Sequence, residues 1–175
     1  SAPLDKTDRG LWDQIIAVNL TGPFLTLREG LARIKAAQCQ QGRLIAIASM
    51  TAKRAYPYIS AYAASKHGVL GLVKSAALEV AAHGTGGSGS EQKNITVNAI
   101  CPGYLDTEMT QSSIANIAEK TGLSSEQAAE KLHSFSPQKR LFTADEVAQA
   151  ALYLASPAAS GINGQALSID GGETW

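Results

Sequence analysis

Apolar positions recur at helical spacing near the start of the chain: Leu11, Ile15 and Val18, then Phe24, Leu25, Leu27, Leu31 and Ile34. This period predicts a helix that turns one apolar face to a core, and Thr7 or Asp8 is placed to cap its start. Gly22-Pro23 interrupts the run. A proline inside a helix removes a backbone donor, so the long helix is expected to kink there. Gly42 is expected to end it. The pattern then shifts to a short continuous apolar run, Leu44-Ile45-Ala46-Ile47-Ala48, which suits a strand buried on both faces of a parallel sheet. Ser49 to Tyr58 is a stretch of small and turn-forming residues.

A second helix is expected from about Ser60 to Ala82. Ala61, Ala63, Ala64, Ser65, Gly68 and Gly71 allow close packing, and Leu70, Val73, Leu78 and Val80 supply bulk. His83 to Asn94 reads as a Gly/Ser-rich surface loop. Ile95 to Ile100 is the second strand, ended by Pro102-Gly103. Residues 104–135 read as helical pieces broken at Gly122, with Ser124 or Ser125 as a cap. Thr143 followed by Glu146 is a capping box. It opens a helix through Val147, Ala151, Leu152 and Leu154. Ala166 to Ile169 is a third short strand, and Asp170-Gly171-Gly172 turns out of it. Strands alternating with helices predict an α/β fold with a parallel sheet, in one domain.

Composition excludes several function classes. Lys+Arg and Asp+Glu number 15 each in the 175 residues, so there is no excess of cations to neutralise phosphates, and no nucleic-acid partner is expected. No apolar stretch approaches the length of a membrane span, and Ser1 to Asp8 lacks the features of a signal peptide. Cys39 and Cys101 read as two free thiols in a reducing cytosol, which points to a cytoplasmic location. The three histidines show no metal spacing.

Tyr62 and Lys66 are four residues apart on the second expected helix and share one face. A free tyrosine has a pKa of about 10, and a nearby cation favours its phenolate. Such a pair suits general acid–base catalysis near neutral pH. The spacing by itself is common on exposed helix faces. Ser49 adds context, because it follows the buried strand directly, and ligands of open α/β sheets sit at the carboxyl ends of strands. A serine there also serves as a cap or turn residue, and both readings stand. Pro102-Gly103 lies at the matching end of the next strand.

AYAASKHG (61–68) resembles the YxxxK signature of the short-chain dehydrogenases/reductases. LWDQIIAVNLTGPF (11–24) resembles the family helix that carries an asparagine, here Asn19. GRLIAIAS (42–49) resembles the strand that ends in the family's serine. ITVNAICPG (95–103), DEVAQAALYLAS (145–156) and ALSIDGG (166–172) resemble the strand and turn beside the nicotinamide, the closing helix and the closing strand. The match runs through essentially the whole chain in family order.

The resemblance implies a Rossmann-like doubly wound parallel sheet, here partial, with family strands 5, 6 and 7. It implies an oxidoreductase that interconverts a secondary alcohol and a ketone with NAD or NADP, of 3-oxoacyl or 3-hydroxyacyl flavour. Tyr62 would exchange a proton with the substrate oxygen, and Ser49 would hold that oxygen. Lys66 would tune Tyr62 and bind the nicotinamide ribose. Asn19 would support a relay water by bending its helix, or else be an ordinary kink residue. Thr107 would contact the carboxamide, cap the next helix, or both, and Pro102 and Gly103 would lie beside the ring. Residues 104–135 would form a substrate lid, and Met109 near it is not assigned to the site. A homo-oligomer, dimer or tetramer, would form through the helices at about 8–39 and 60–82. His67 is expected to face solvent or packing, and Trp12 and Trp175 to pack.

The family opens with a strand, a TGxxxGxG turn and a helix whose amino end binds pyrophosphate. That segment is not found in this sequence, and Gly86-Gly87-Ser88-Gly89 follows a helix instead of a strand. The strand at Leu44 to Ala48 would then be left as an open apolar edge. A piece of a longer protein, a proteolysed or incomplete product, and a short subunit completed by another chain all fit. A scaffold or partner subunit without catalysis is the second functional reading.

Overall fold

Residues 2–84 and 94–174 are described in a computed structural model of the chain. The Gly/Ser-rich segment expected as a surface loop falls largely outside them, as does Trp175. Helix α1 (Arg9–Ile16) is capped by Asp8, whose carboxylate accepts from the Leu11 amide at 3.0 Å. Helix α2 (Gly22–Ala36) follows, and between the two the backbone widens into a π-turn at Ala17–Thr21. The expected distortion is therefore present, but it lies one turn earlier than Gly22-Pro23. Pro23 still explains it. It brings no N–H, so the Asn19 carbonyl, four residues earlier, loses the partner a regular helix would give it.

Gly42 does not end this helix. The helix stops at Ala36, Gln38 turns the chain with a φ of 51°, and Gly42 lies inside strand β1 (Gln41–Ile47). Helix α3 (Ser60–Gly84) leads to strand β2 (Asn94–Pro102). Helices α4 (Glu108–Thr121) and α5 (Ser125–His133) meet at Gly122, whose φ of 71° closes α4. Ser124 with Gln127, and Thr143 with Glu146, form capping boxes for α5 and for α6 (Ala144–Ala155). Strand β3 (Ala166–Ile169) comes last.

The strands pair in parallel in the order β1-β2-β3, with Ile47 beside Ile100 and Pro102 beside Ile169. β2 is the core of the sheet. Val97, Ala99 and Cys101 pack with Val69, Val73 and Ala77 of α3, while Ile100 packs on the other face with Val147 and Leu154 of α6. β2 is interrupted by the buried polar residues Thr96 and Asn98, whereas the continuous run from Leu44, expected to be buried on both faces, lies mostly in β1 and is only partly buried, because β1 is the sheet's edge among the described residues. Each fully buried Val, Leu or Ile here contributes about 1.5–3 kcal/mol of transfer free energy. A third cluster, Ile114, Ala128 and Leu132, holds α4 to α5.

Among the described residues β1 pairs on one side alone. Its free edge carries unpaired backbone groups beside Ile45 and Ile47, the latter 52% exposed. Residues 1–175 expressed by themselves are therefore expected to self-associate through this edge. Sedimentation over a concentration series checks this, and a monomer at every concentration would contradict it.

Candidate active site

The chain leaves β1 through Ala48, whose amide still donates to the Ile100 carbonyl at 2.7 Å. Ser49 comes next and caps a short 3-10 turn, Met50–Ala52. Its Oγ accepts from the Thr51 amide at 3.2 Å and from the Thr51 hydroxyl at 2.8 Å. The capping reading of this serine is thus realised. Because Ser49 accepts in both bonds, its own proton remains available to a substrate oxygen.

Tyr62 and Lys66 lie in the first two turns of α3. Buried Ala61, Ala63, Ser65 and Val69 bring these turns down onto the sheet. The Lys66 Nζ reaches the Ile47 carbonyl at 3.4 Å and stands 5.7 Å from the centre of the Tyr62 ring. The ammonium therefore bridges the end of β1 and the phenol one turn away. Burial holds Lys66 below the usual lysine range, and the neighbouring Cys101 thiol pulls the other way.

Cys101 locates the other side of the site. It is fully buried in β2, and burial pushes its thiol up; Lys53, a backbone hydrogen bond with Ser49, and Lys66 lower it, while Asp170 raises it. The parallel register pairs Ile47 with Ile100, so Cys101 lies at the strand end where the chain leaves β1 for Ser49. Sequence reasoning saw only a free thiol, since nothing in the spacing of Cys101 marks its neighbours.

The π-turn that carries Asn19 packs against α3 through Leu20. Gly68 permits this approach, because a Cβ there would lie 2.8 Å from a methyl of Leu20. Asn19 is half-buried, and among the described residues no hydrogen bond joins its side chain to Tyr62 or Lys66. Pro102 is buried as the last residue of β2, and the Gly103 amide donates to the Ile169 carbonyl at 2.9 Å. Thr107 is the N-cap residue of α4, but its side chain makes no capping bond. That hydroxyl is exposed and free for another partner. Met109 is 76% exposed on α4, and His67 is exposed on α3 with Nδ1 2.9 Å from the Ala63 carbonyl.

Three aromatic rings that sequence reasoning passed over form an aromatic wall at this end of the sheet. Tyr104 stacks on Phe135 at 6.3 Å, and Phe135 meets Tyr56 edge-on at 6.5 Å. The Tyr104 phenol is pushed up by burial, then by Glu173 and by Tyr62. The position of Tyr104 just after the Pro-Gly turn was the available signal.

A family model described as enoyl-(acyl carrier protein) reductase matches residues 1–174. The chain belongs to the short-chain dehydrogenase/reductase family. D-beta-hydroxybutyrate dehydrogenase of Rhizobium meliloti is 42% identical over 93% of this chain and 59% of its own length. Among solved structures, sorbitol-6-phosphate 2-dehydrogenase from Erwinia amylovora superposes with a TM-score of 0.88 at 31% identity, over 100% of this chain and 64% of that one. A variant of actinorhodin polyketide ketoreductase with NADPH gives 0.86 at 32% identity, over 99% and 62%. This short-chain dehydrogenase/reductase chain therefore spans about three fifths of the length of the relatives it matches. Its sheet of three parallel strands, helix-covered on both faces, is the corresponding part of their Rossmann fold.

Proposed function

We propose that the protein interconverts a secondary alcohol and a ketone with a nicotinamide dinucleotide, using Ser49, Tyr62 and Lys66. The observation that carries this reading is the Lys66 ammonium, 5.7 Å from the Tyr62 ring and within reach of the strand end that presents Ser49. In the reducing direction, the Ser49 hydroxyl donates a hydrogen bond to the carbonyl oxygen and holds it. Tyr62 gives its proton to that oxygen as negative charge develops there. Lys66 stabilises the negative charge left on the phenol oxygen. In oxidation the same proton returns to Tyr62.

The bound dinucleotide supplies or accepts the hydride. The donor set fits its nicotinamide end. Lys66 and Tyr62 would hold the ribose, Pro102 and Gly103 would lie beside the ring, and the Thr107 hydroxyl, which makes no capping bond, would be left for the carboxamide. Asn19, where the π-turn meets α3, would support a water beside Lys66. The relatives' names support a 3-oxoacyl or 3-hydroxyacyl substrate class; NAD or NADP as cofactor and a cytoplasmic homo-oligomer complete the reading.

Assaying the complete protein with a panel of ketones and either reduced cofactor tests this. Turnover is expected, and Ser49→Ala is expected to lower kcat by about a hundredfold with cofactor affinity unchanged, the usual cost of losing one oxyanion donor. A protein that binds neither cofactor and reduces no ketone would instead support the scaffold reading.

A further inference from the structure

Glu173 follows the Asp170-Gly171-Gly172 turn after β3, and only 5% of the residue is exposed. The Tyr56 hydroxyl donates to one carboxyl oxygen, Oε1. The other, Oε2, is buried with no partner among the described residues. A buried polar oxygen left unmatched costs free energy, and native structures hold few of them without a reason. Glu173 also borders a hollow of about 400 Å3 shared with Lys53, Arg54 and Thr174.

We infer that Glu173 is a specificity residue whose free oxygen accepts a hydrogen bond from a second, neutral hydroxyl of the substrate, remote from the reacting carbon. This rests on the proposed dehydrogenase reading and adds the substrate class.

The charges around the hollow select the donor. A substrate carboxylate would face the Glu173 carboxyl. An ammonium would face Lys53 and Arg54. Neither cation satisfies Oε2: Lys53 Nζ donates to the Ser168 hydroxyl at 2.8 Å, and Arg54 donates to the Glu173 backbone carbonyl at 3.4 Å. A neutral O–H avoids both repulsions and supplies the missing donor. The exposed Arg54 side chain, held by that long contact and lying 5.5 Å from the Tyr56 ring centre, is the cover that would move to admit it.

The hollow adjoins the reaction centre. Tyr56, bonded to Glu173, belongs to the same aromatic wall as Phe135 and Tyr104. Lys53 and Arg54 directly follow the 3-10 turn that Ser49 caps, and the Tyr56 hydroxyl lies 3.8 Å from the Met50 sulfur in that turn. A substrate whose carbonyl meets Ser49 and Tyr62 would thus run along this wall with its far end toward Glu173.

Three ketones of one shape test the inference on the complete protein: cyclohexanone, 4-hydroxycyclohexanone and 4-oxocyclohexanecarboxylate. Wild type is expected to prefer the hydroxyl compound to cyclohexanone by about tenfold in kcat/KM, the value of one hydrogen bond to a charged group, and to disfavour the carboxylate. Glu173→Ala should bring the hydroxyl preference close to one. Glu173→Gln keeps the shape, gives its carbonyl to Tyr56 and turns an NH2 to the hollow, so the preference should fall and the carboxylate should gain. A purely structural role would lower all three rates together and leave the ratios unchanged. Unchanged ratios in Glu173→Gln, or no hydroxyl preference in wild type, overturn the inference alone. Wild type that reduces none of the three, nor any other ketone, overturns the dehydrogenase reading and this inference with it.

Discussion

Tyr62→Phe is expected to lower kcat by about a thousandfold while leaving cofactor affinity within a few-fold of wild type. The substitution removes one oxygen and nothing else. The ring remains, and with it the stack of Ala61, Ala63, Ser65 and Val69 that seats α3 on the sheet. Lys66 keeps its contact with the Ile47 carbonyl, so the ammonium stays in place. What is lost is the acid that gives its proton to the substrate oxygen in the proposed reaction. Ser49 can still orient that oxygen, since its Oγ is fixed by Thr51. Residual turnover from positioning is therefore expected. Steady-state kinetics with a fluorescence titration of the reduced cofactor separates the two quantities. Turnover within tenfold of wild type, with binding intact, would refute the assigned proton role.

The class of the fold could be read from periodicity because β2 is buried on both faces and α3 supports it with small residues; both leave strong patterns. The ends of elements were harder. Gly42 looked like a helix stop, but Gln38 took the left-handed turn four residues earlier, and side chains other than glycine do this when the loop is short. The helix distortion was assigned to Gly22-Pro23 because proline is visible, whereas a π-turn has no residue signature of its own and appears upstream of the missing donor.

Within the site, the shared helix face of Tyr62 and Lys66 was legible because four residues make about one helical turn, while their role rests on the family resemblance. Ser49 was legible because strands end where ligands bind. Glu173, Tyr56, Tyr104 and Cys101 were not. Their relationship comes from three separate elements folding to one end of the sheet, and no local spacing encodes that. The cofactor residues Pro102, Gly103 and Thr107 rest on the family resemblance, to which the geometry adds the unbonded Thr107 hydroxyl.

Replacing Asn98 with leucine is expected to give one of the largest losses of stability of any single change in the sheet, about 3 kcal/mol, and to lower Tm by roughly 10 °C. Asn98 is 1% exposed in the middle of β2, where the pattern calls for an apolar residue. Its Nδ2 donates to the Ile162 carbonyl at 2.7 Å, and its Oδ1 accepts from the Gln165 amide at 3.0 Å. These bonds dock the loop before β3 onto β2. Asn163 works in the same place, accepting from the Val97 amide and donating to the Ala77 carbonyl, each at 2.9 Å. Leucine would match the buried volume but strand one carbonyl and one amide, each costing about 1–3 kcal/mol where water cannot reach them. Asn98→Asp keeps the acceptor but sets a buried carboxylate oxygen against the Ile162 carbonyl, so it should cost at least as much in a denaturant titration. β3 carries the Asp170 turn that receives Gly103 and positions Glu173, so loosening this docking should also weaken the far end of the substrate cleft. If Asn98→Leu unfolds within 0.5 kcal/mol of wild type, a cost well below that of a single stranded group, the loop is held by the strand pairing of β2 with β3 instead of by these two bonds.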